Sequence, residues 1–375
     1  MAYQVKTTKS YGTRLTDSLK GIVTGVILFA IGTIVLFWNE GNFVKTKKSI
    51  REAEKALVVV SDVSRVDPSL NGQLIHAGAF ATTDDVLTDE TFGVSETAIA
   101  LRRSVEYYQY VEKKEEKKRD KIGGGEETIT TYTYEKKWVS EPVNSANFAD
   151  PDYYTSNTVL KAIESRITRA DNVTFGGYRL PTFMVEEISG DTPVAVNVTS
   201  DETTHVNSNV VYYGQSPSSP RIGDVRITLT KVVPANISII GKVVNNTFEQ
   251  FHAKNGKTFA RVAMGTVSAD SMFADAHAEN SALAWLLRIL GIVVVVIGLK
   301  MMFGILPAVF KVLPFLGNII GAGVGLVCII GGAAWSMLVI SLSWLFYRPL
   351  IGIPLLLVAV AGIWFLKKKA KAKHE

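Results

Sequence analysis

The sequence predicts an α+β polytopic membrane protein: four transmembrane helices, one N-terminal and three C-terminal, with a large β-rich extracytoplasmic or luminal domain. Three observations predict it. Apolar runs fall in a one-plus-three pattern around a polar block of about 240 residues. A mean hydropathy of +0.19 is too apolar for an ordinary soluble protein and too polar for a pure transporter. Within the polar block the apolar residues alternate, and Thr, Tyr and Val are frequent, as in strands.

A bilayer core of roughly 30 Å needs about 20 apolar helical residues. Gly21–Trp38 meets this between Lys20 and Glu40. It is predicted to be a retained signal anchor, because Phe37-Trp38-Asn39-Glu40 offers no small-residue cleavage site. The second span is predicted over residues 282–302 and contains Arg288. The uncharged run from Val312 to Tyr347 is longer than one span needs, and places the third over 317–342. Arg348-Pro349 marks a break, since proline disfavours helix at the residue before it, and the fourth span follows over 349–366.

Charge sets the expected orientation. Residues 1–20 carry four Lys/Arg against one Asp, and the tail 367–375 carries five lysines against one Glu. With Lys300 and Lys311, these regions are expected in the cytoplasm by the positive-inside rule. Residues 39–281, with 27 Lys/Arg against 33 Asp/Glu, are then expected outside. The net charge of +5 therefore sums two unlike compartments and does not point to nucleic acid. The sole cysteine, Cys328, lies in the third span, so the outer domain is expected to be held by its core and not by disulfides.

In the outer block, Phe43–Leu57 continues the first helix through Val44, Ile50, Ala53 and Leu57. Strands are predicted at Val58–Val63, Leu74–Phe80, Ala98–Val111 and Thr128–Val139. The last two read as a long hairpin with a mobile tip over Lys113–Glu127, charged and carrying Gly123-Gly124-Gly125. Val159, Leu160, Ile163 and Ile167 share a helical face, predicting a helix over Thr158–Ile167. Strands resume at Val194–Val198, Asn209–Tyr213, Val225–Val233, Ile237–Val244 and Phe259–Ala263, with turns at Gly223-Asp224 and Asn255-Gly256. From Ser268 the pattern is helical into the second span. The strand spacing also admits two β units, one before Val139 and one after Val194.

A search for chemistry returns little. The five histidines show no metal-ligand spacing, and there is no nucleophile elbow or phosphate-cradling glycine loop. His76 reads as a satisfied core residue and Cys328 as an inert thiol. No catalytic residue, cofactor or metal is expected. Gly317, Gly321 and Gly325 fall at a four-residue period, and Gly21 and Gly25 form a second such pair. Rows of this kind let helices approach closely, either within the chain or between copies of it. Arg288 has no acidic residue in any C-terminal span, so no intramembrane ion pair is expected, and its head is expected to snorkel to lipid phosphate or a carbonyl. The lysine-rich tail meets anionic lipid, and Lys371 with Lys373 also fits an ER retrieval signal.

Several stretches resemble the transmembrane protein 43 family, also called LUMA. They are Asn39-Glu40-Gly41 with Lys45-Thr46, Arg102-Arg103 with Glu106 and Tyr108-Gln109, and Trp138 with Asn144-Ser145. Gly223-Asp224-Val225-Arg226, Trp285 with Arg288, and Trp344-Leu345-Phe346-Tyr347-Arg348-Pro349 complete the set in the same order. The resemblance implies four spans with a large luminal or extracytoplasmic loop and no established enzymatic activity. Eukaryotic members sit in the ER and inner nuclear membrane, self-associate, and are linked to lamins and emerin as organisers. In a bacterium the inner, cytoplasmic membrane is the corresponding place. Between Asp150 and Thr203 the likeness is slight beyond Gly177-Tyr178 and Leu180, so partner-binding details do not transfer.

The expected function is a non-enzymatic membrane scaffold that self-associates through its helices and presents its β domain to other membrane or envelope proteins. Expected partners are membrane lipids and further copies of the chain, with no nucleic acid. The alternative is a lipid- or small-ligand-binding protein with a pocket between the β domain and the bilayer, lined by Tyr107, Tyr108, Tyr110, Tyr132, Tyr134 and Trp138.

Overall fold

The structure, a computed structural model, describes residues 2–350 and 353–354. Apart from Pro349, Leu350, Ile353 and Pro354, the predicted fourth span and the whole basic tail lie outside the described residues. Among the described residues three helical stretches are long and apolar enough to cross a membrane.

The chain opens with strand β1 (Tyr3–Lys9) and helix α1 (Tyr11–Ala56). Then come β2 (Leu57–Val59), β3 (Leu74–Thr82), β4 (Val86–Asp89), β5 (Val94–Thr97), β6 (Ala100–Asp120) and β7 (Glu126–Val139). The middle of the domain holds short pieces: β8 (Arg166–Arg169), β9 (Thr174–Phe175), β10 (Tyr178–Arg179), the one-turn helix α2 (Thr182–Val185) and β11 (Thr192–Pro193). They lead to β12 (Thr204–Asn207), β13 (Val210–Tyr213), β14 (Val225–Val232), β15 (Ala235–Val244), β16 (Thr247–Glu249), β17 (Phe251–His252), β18 (Thr258–Phe259) and β19 (Arg261–Met264). Helices α3 (Ala269–Phe303), α4 (Ile305–Phe310) and α5 (Pro314–Tyr347) follow.

Two compact units emerge. The first, mostly residues 52–117 and 129–274, is β-rich. An eight-stranded sheet runs β1-β7-β6-β14-β13-β12, with β11 on β14 and β8 on β6. A seven-stranded sheet runs β10-β9-β3-β15-β16, with β19 and β2 added on β15 and β3. Their inner faces share one core, in which Val105, Val225, Ile227 and Leu229 of the first sheet join Ile75, Ala77, Ile237 and Ile239 of the second. Alternation dictates this: along β14 Val225, Ile227 and Leu229 are buried, and the phase changes only at Val232. Because β6 pairs with β14 and β3 with β15, early and late strands share both sheets, and the two-unit β alternative does not hold.

Two local expectations are corrected here. Thr158–Ile167 is not helical. Leu160 is exposed while Ile163 is buried, and the segment bonds outward, Leu160 N–H to Gly223 O at 2.9 Å and Gln109 Nε2 to Thr158 O at 3.2 Å. Residues 194–198 lie beyond β11 in irregular chain, although Val194 still enters the core.

The second unit comprises residues 6–51, 118–128 and 275 onward. It contains the tip of the β6–β7 hairpin, which is anchored and not free. Asp120 pairs with Arg14 at 2.8 Å and with Lys311 at 3.1 Å, and Glu126 lies 3.4 Å from Arg14. Arg14 also donates to Gly124 O and Gly125 O, at 3.0 and 3.2 Å. This bears on orientation. The basic count placed Arg14 and Lys311 in the cytoplasm and residues 39–281 outside, yet Asp120 and Glu126 of that block sit on those cations. The positive-inside rule reads bias from Lys and Arg alone, whereas these cations are neutralised by carboxylates of the block itself. The expectation that residues 1–20 and the hairpin tip stand on opposite sides of a membrane is therefore not met.

Candidate functional site

Helices α1 and α3 pack antiparallel, with a seven-residue step on each through the first three contacts and a four-residue step to the last. Gly25 lies against Gly298, Gly32 against Gly291 and Val295, Asn39 against Ala284, and Asn280 against Phe43. Over the apolar part the step is made by glycine. A Cβ on Gly25 would come 2.7 Å from Gly298 O, and one on Gly298 would come 2.6 Å from Phe29 N, so the backbones touch. Such contact replaces the hydrophobic drive that lipid removes. A heptad step is the signature of helices that keep one seam facing the partner. Helix α5 closes the cluster, with Val339 against Leu36 and Val295, Gly332 against Val296, and Trp335 Nε1 donating to Thr33 Oγ1 at 3.0 Å.

Where the apolar part of α1 ends, the seam becomes polar. Asn39 Nδ2 donates to Ala284 O at 2.9 Å, and Asn280 Nδ2 to Phe43 O at 3.2 Å. Glu40 is fully buried. Arg288 grips it with both arms, Nε at 2.5 Å and Nη2 at 3.0 Å. From α5, Trp344 Nε1 donates to Glu40 Oε2 at 3.0 Å, and Arg348 Nη2 stands 3.6 Å from the same oxygen. The Arg288 guanidinium lies 4.8 Å from the Trp285 ring, and that of Arg348 lies 4.7 Å from Phe43 and 5.4 Å from Trp344. Gly41 is needed because the Tyr347 ring lies where its Cβ would be, 2.6 Å away. A two-armed Arg–carboxylate pair is strong and geometrically specific. One carboxylate thereby joins α1, α3 and α5.

The structure thus brings Asn39, Glu40, Gly41, Trp285, Arg288, Trp344, Tyr347, Arg348 and Pro349 to one place. It also corrects the reading of Arg288 as a residue with no acidic partner. The partner is Glu40, at the end of the first span and 248 residues away in sequence, outside the C-terminal spans.

The predicted glycine positions divide. Gly25 makes a tight crossing within the chain, and Gly21 only an ordinary contact with Met301 O at 3.8 Å. Gly317 packs on the Lys311 backbone and Gly321 touches Pro307, while Gly325 has nothing within 4 Å. Gly32, Gly291 and Gly298 were missed, because the signal is a seven-residue step shared by two distant segments and not a row on one.

Most family-like residues of the β unit form a second cluster, while Arg102 and Arg103 pair elsewhere. Arg226 on β14 pairs with its register partner Glu106 on β6 at 2.6 Å and lies 4.5 Å from the Trp138 ring. Trp138 packs on Tyr108 at 5.2 Å and on Tyr212 at 6.1 Å. Tyr212 donates to Asp224, which also accepts Arg221 N–H at 2.8 Å. Gly223 turns with φ +101° and its N–H donates to Tyr108 O at 3.0 Å. Gln109 is buried and bonded at both ends, to Thr158 O and Val143 N. Arg103 grips Asp89 with two contacts of 2.9 Å, and Arg102 reaches Asp191 at 2.5 Å.

The six aromatic residues proposed for a pocket do not converge on one. Tyr107 donates to Ile163 O, Tyr110 and Tyr134 meet Tyr153, and Tyr132 meets Tyr3. Of the six, Trp138 borders a recess of about 320 Å³ shared with His205, Tyr212 and Arg226. His76 is a core residue as expected but only half satisfied: Nε2 lies 2.9 Å from Val267 O, while Nδ1 is buried without a hydrogen-bond partner among the described residues.

A family model described as Transmembrane protein 43 matches residues 107–349. The chain is 27% identical to Transmembrane protein 43 of Homo sapiens, over 99% of this chain and 96% of that protein. It is 28% identical to Transmembrane protein 43 of Mus musculus, over 96% and 92% respectively. The Transmembrane protein 43 homolog of Drosophila melanogaster is 24% identical over 92% and 93%. No solved structure matches. The matched region covers more than half of the sequence, taking in Trp138, Arg226, Arg288 and Arg348 though not Glu40, and the chain belongs to the transmembrane protein 43 family.

Proposed function

We propose that this protein is a non-enzymatic membrane scaffold in which a charge-clamped helix cluster sets a β-rich domain at a membrane boundary and offers it to partner proteins. The clamp on Glu40 supports this most directly. Helix α1 runs on into β2, and α3 begins just after β19, so the chain enters and leaves the β-rich unit through two helices tied to each other. A clamped helix pair at both ends of a domain suits positioning better than turnover. The long apolar face of α5, with Ile319, Leu326, Val327 and Ile330 exposed beside Gly323 and Gly325, supports association of copies within the membrane. In eukaryotic cells the reading extends to the ER and inner nuclear membrane, with envelope proteins as partners.

Crosslinking in native membranes tests it. A cysteine pair scan along α5 is expected to yield specific dimers through residues 323–330. A chain that stays monomeric at all expression levels contradicts self-association.

A further inference from the structure

We infer that the helical unit carries a binding site for the phosphate headgroup of an anionic membrane lipid, beside the Glu40 clamp. The inference deepens the scaffold reading by naming the lipid class held at the boundary.

The site is a pocket of about 440 Å³. That lies within the roughly 300–1,000 Å³ usual for small-ligand sites. Val44, Lys47, Lys48 and Arg51 line one wall, and Tyr347, Arg348, Pro349 and Leu350 the other. The first four recur at three- and four-residue spacing on α1, so one helix face supplies them all. Of the eight described lining residues four are cations and none is acidic. Glu40 supplies a single negative charge shared with Arg288, and its nearest lining cation, Arg348, stands 3.6 Å away beyond hydrogen-bond reach, so the pocket stays net positive. Arg348 is left with Nη2 buried and without a hydrogen-bond partner among the described residues. A buried guanidinium nitrogen with an open donor calls for an oxygen acceptor.

Position favours a lipid over free phosphate. Lys47 and Lys48 lie roughly 10–12 Å along the helix from Glu40, at 1.5 Å per residue. With Glu40 at the end of the apolar stretch, that is just outside a headgroup layer roughly 5–8 Å thick, and the long lysine side chains reach back into it. The remaining wall is apolar, and Leu350 is 90% exposed, a surface for the start of an acyl chain. Basic pockets beside membrane helices recognise anionic headgroups in this way.

The test uses the full-length protein in nanodiscs of phosphatidylcholine, with and without a photoactivatable phosphatidylserine. The expected result is a crosslink to the peptide spanning residues 44–51 or to residues 347–350. Native mass spectrometry is expected to show one retained phosphatidylserine per chain in preference to phosphatidylcholine. K47Q/K48Q/R51Q should lower that retention on the order of a hundredfold, three surface charges at their usual worth. K47R/K48R/R51K should keep it, which separates lost charge from lost fold. Crosslinks elsewhere, equal retention of both lipids, or full retention by the glutamine variant would each overturn the site. Displacement by inorganic phosphate in excess would assign the pocket to a soluble ligand and overturn the lipid assignment. None of these results touches the association of copies through α5, so the two readings fail separately.

Discussion

At Glu40 a single carboxylate meets two guanidinium groups and an indole N–H inside a helix cluster. A buried charge of this kind is tolerable only when paired and hydrogen-bonded, and here the pairing is complete. The glycines a few turns away do a different task, letting α1 and α3 come close enough for the clamp to form. Gly25→Leu should therefore lower stability by about 1–3 kcal/mol or more, since its Cβ would meet Gly298 O and Met302 N. Gly325→Leu, where nothing lies within 4 Å, should stay within about 0.5 kcal/mol of wild type. Thermal unfolding of both in one detergent checks the contrast, and equal losses would contradict it. The boundary residues were legible in sequence because Trp, Tyr and charged groups flank apolar runs for physical reasons. Their pairing was not legible: Glu40 and Arg288 are 248 residues apart, and no periodicity joins them.

Among the elements, the β6–β7 hairpin departs furthest from its sequence. Clustered charge and three successive glycines read as a free tip, because both features favour solvated, adaptable chain. Instead Asp120 is held between two cations from other segments. Burial pushes the Asp120 carboxyl up, but Lys311 and Arg14 outweigh it and hold it below the usual carboxylate range. A carboxyl lowered in the folded state contributes stability at pH values above its unfolded pKa of about 3.9, and that contribution is lost as pH falls through the folded value. Amide exchange across residues 118–128, corrected for intrinsic rates, should stay protected from neutrality to about pH 5 and open below about pH 4. A tip that exchanges freely at neutral pH would contradict the anchoring. The strands of the two sheets were largely legible, β14 through alternation from Val225 to Leu229 and β15 as an apolar run buried continuously from Ile237 to Gly241. The segment 158–167 was misread because its apolar spacing imitates a helix, while its backbone is claimed by Gly223 and Gln109, which no local pattern reveals.

For the whole molecule, the one-plus-three layout foretold three described apolar helices and a β-rich unit between the first and second. Orientation was less legible, since charge bias counts Arg14 and Lys311 without knowing that Asp120 and Glu126 neutralise them. Glu40 and Arg288 form a coupled pair that holds α1 and α3 at the end of the apolar seam. A double-mutant cycle of Glu40→Gln and Arg288→Gln, read as unfolding free energy in bicelles titrated with SDS, tests it most directly. Each single variant is predicted to cost about 3–5 kcal/mol, because each leaves a buried charge without its partner. The double variant is predicted to fall short of the summed losses by at least about 1 kcal/mol. Additive losses, or single variants as stable as wild type, would contradict the claim.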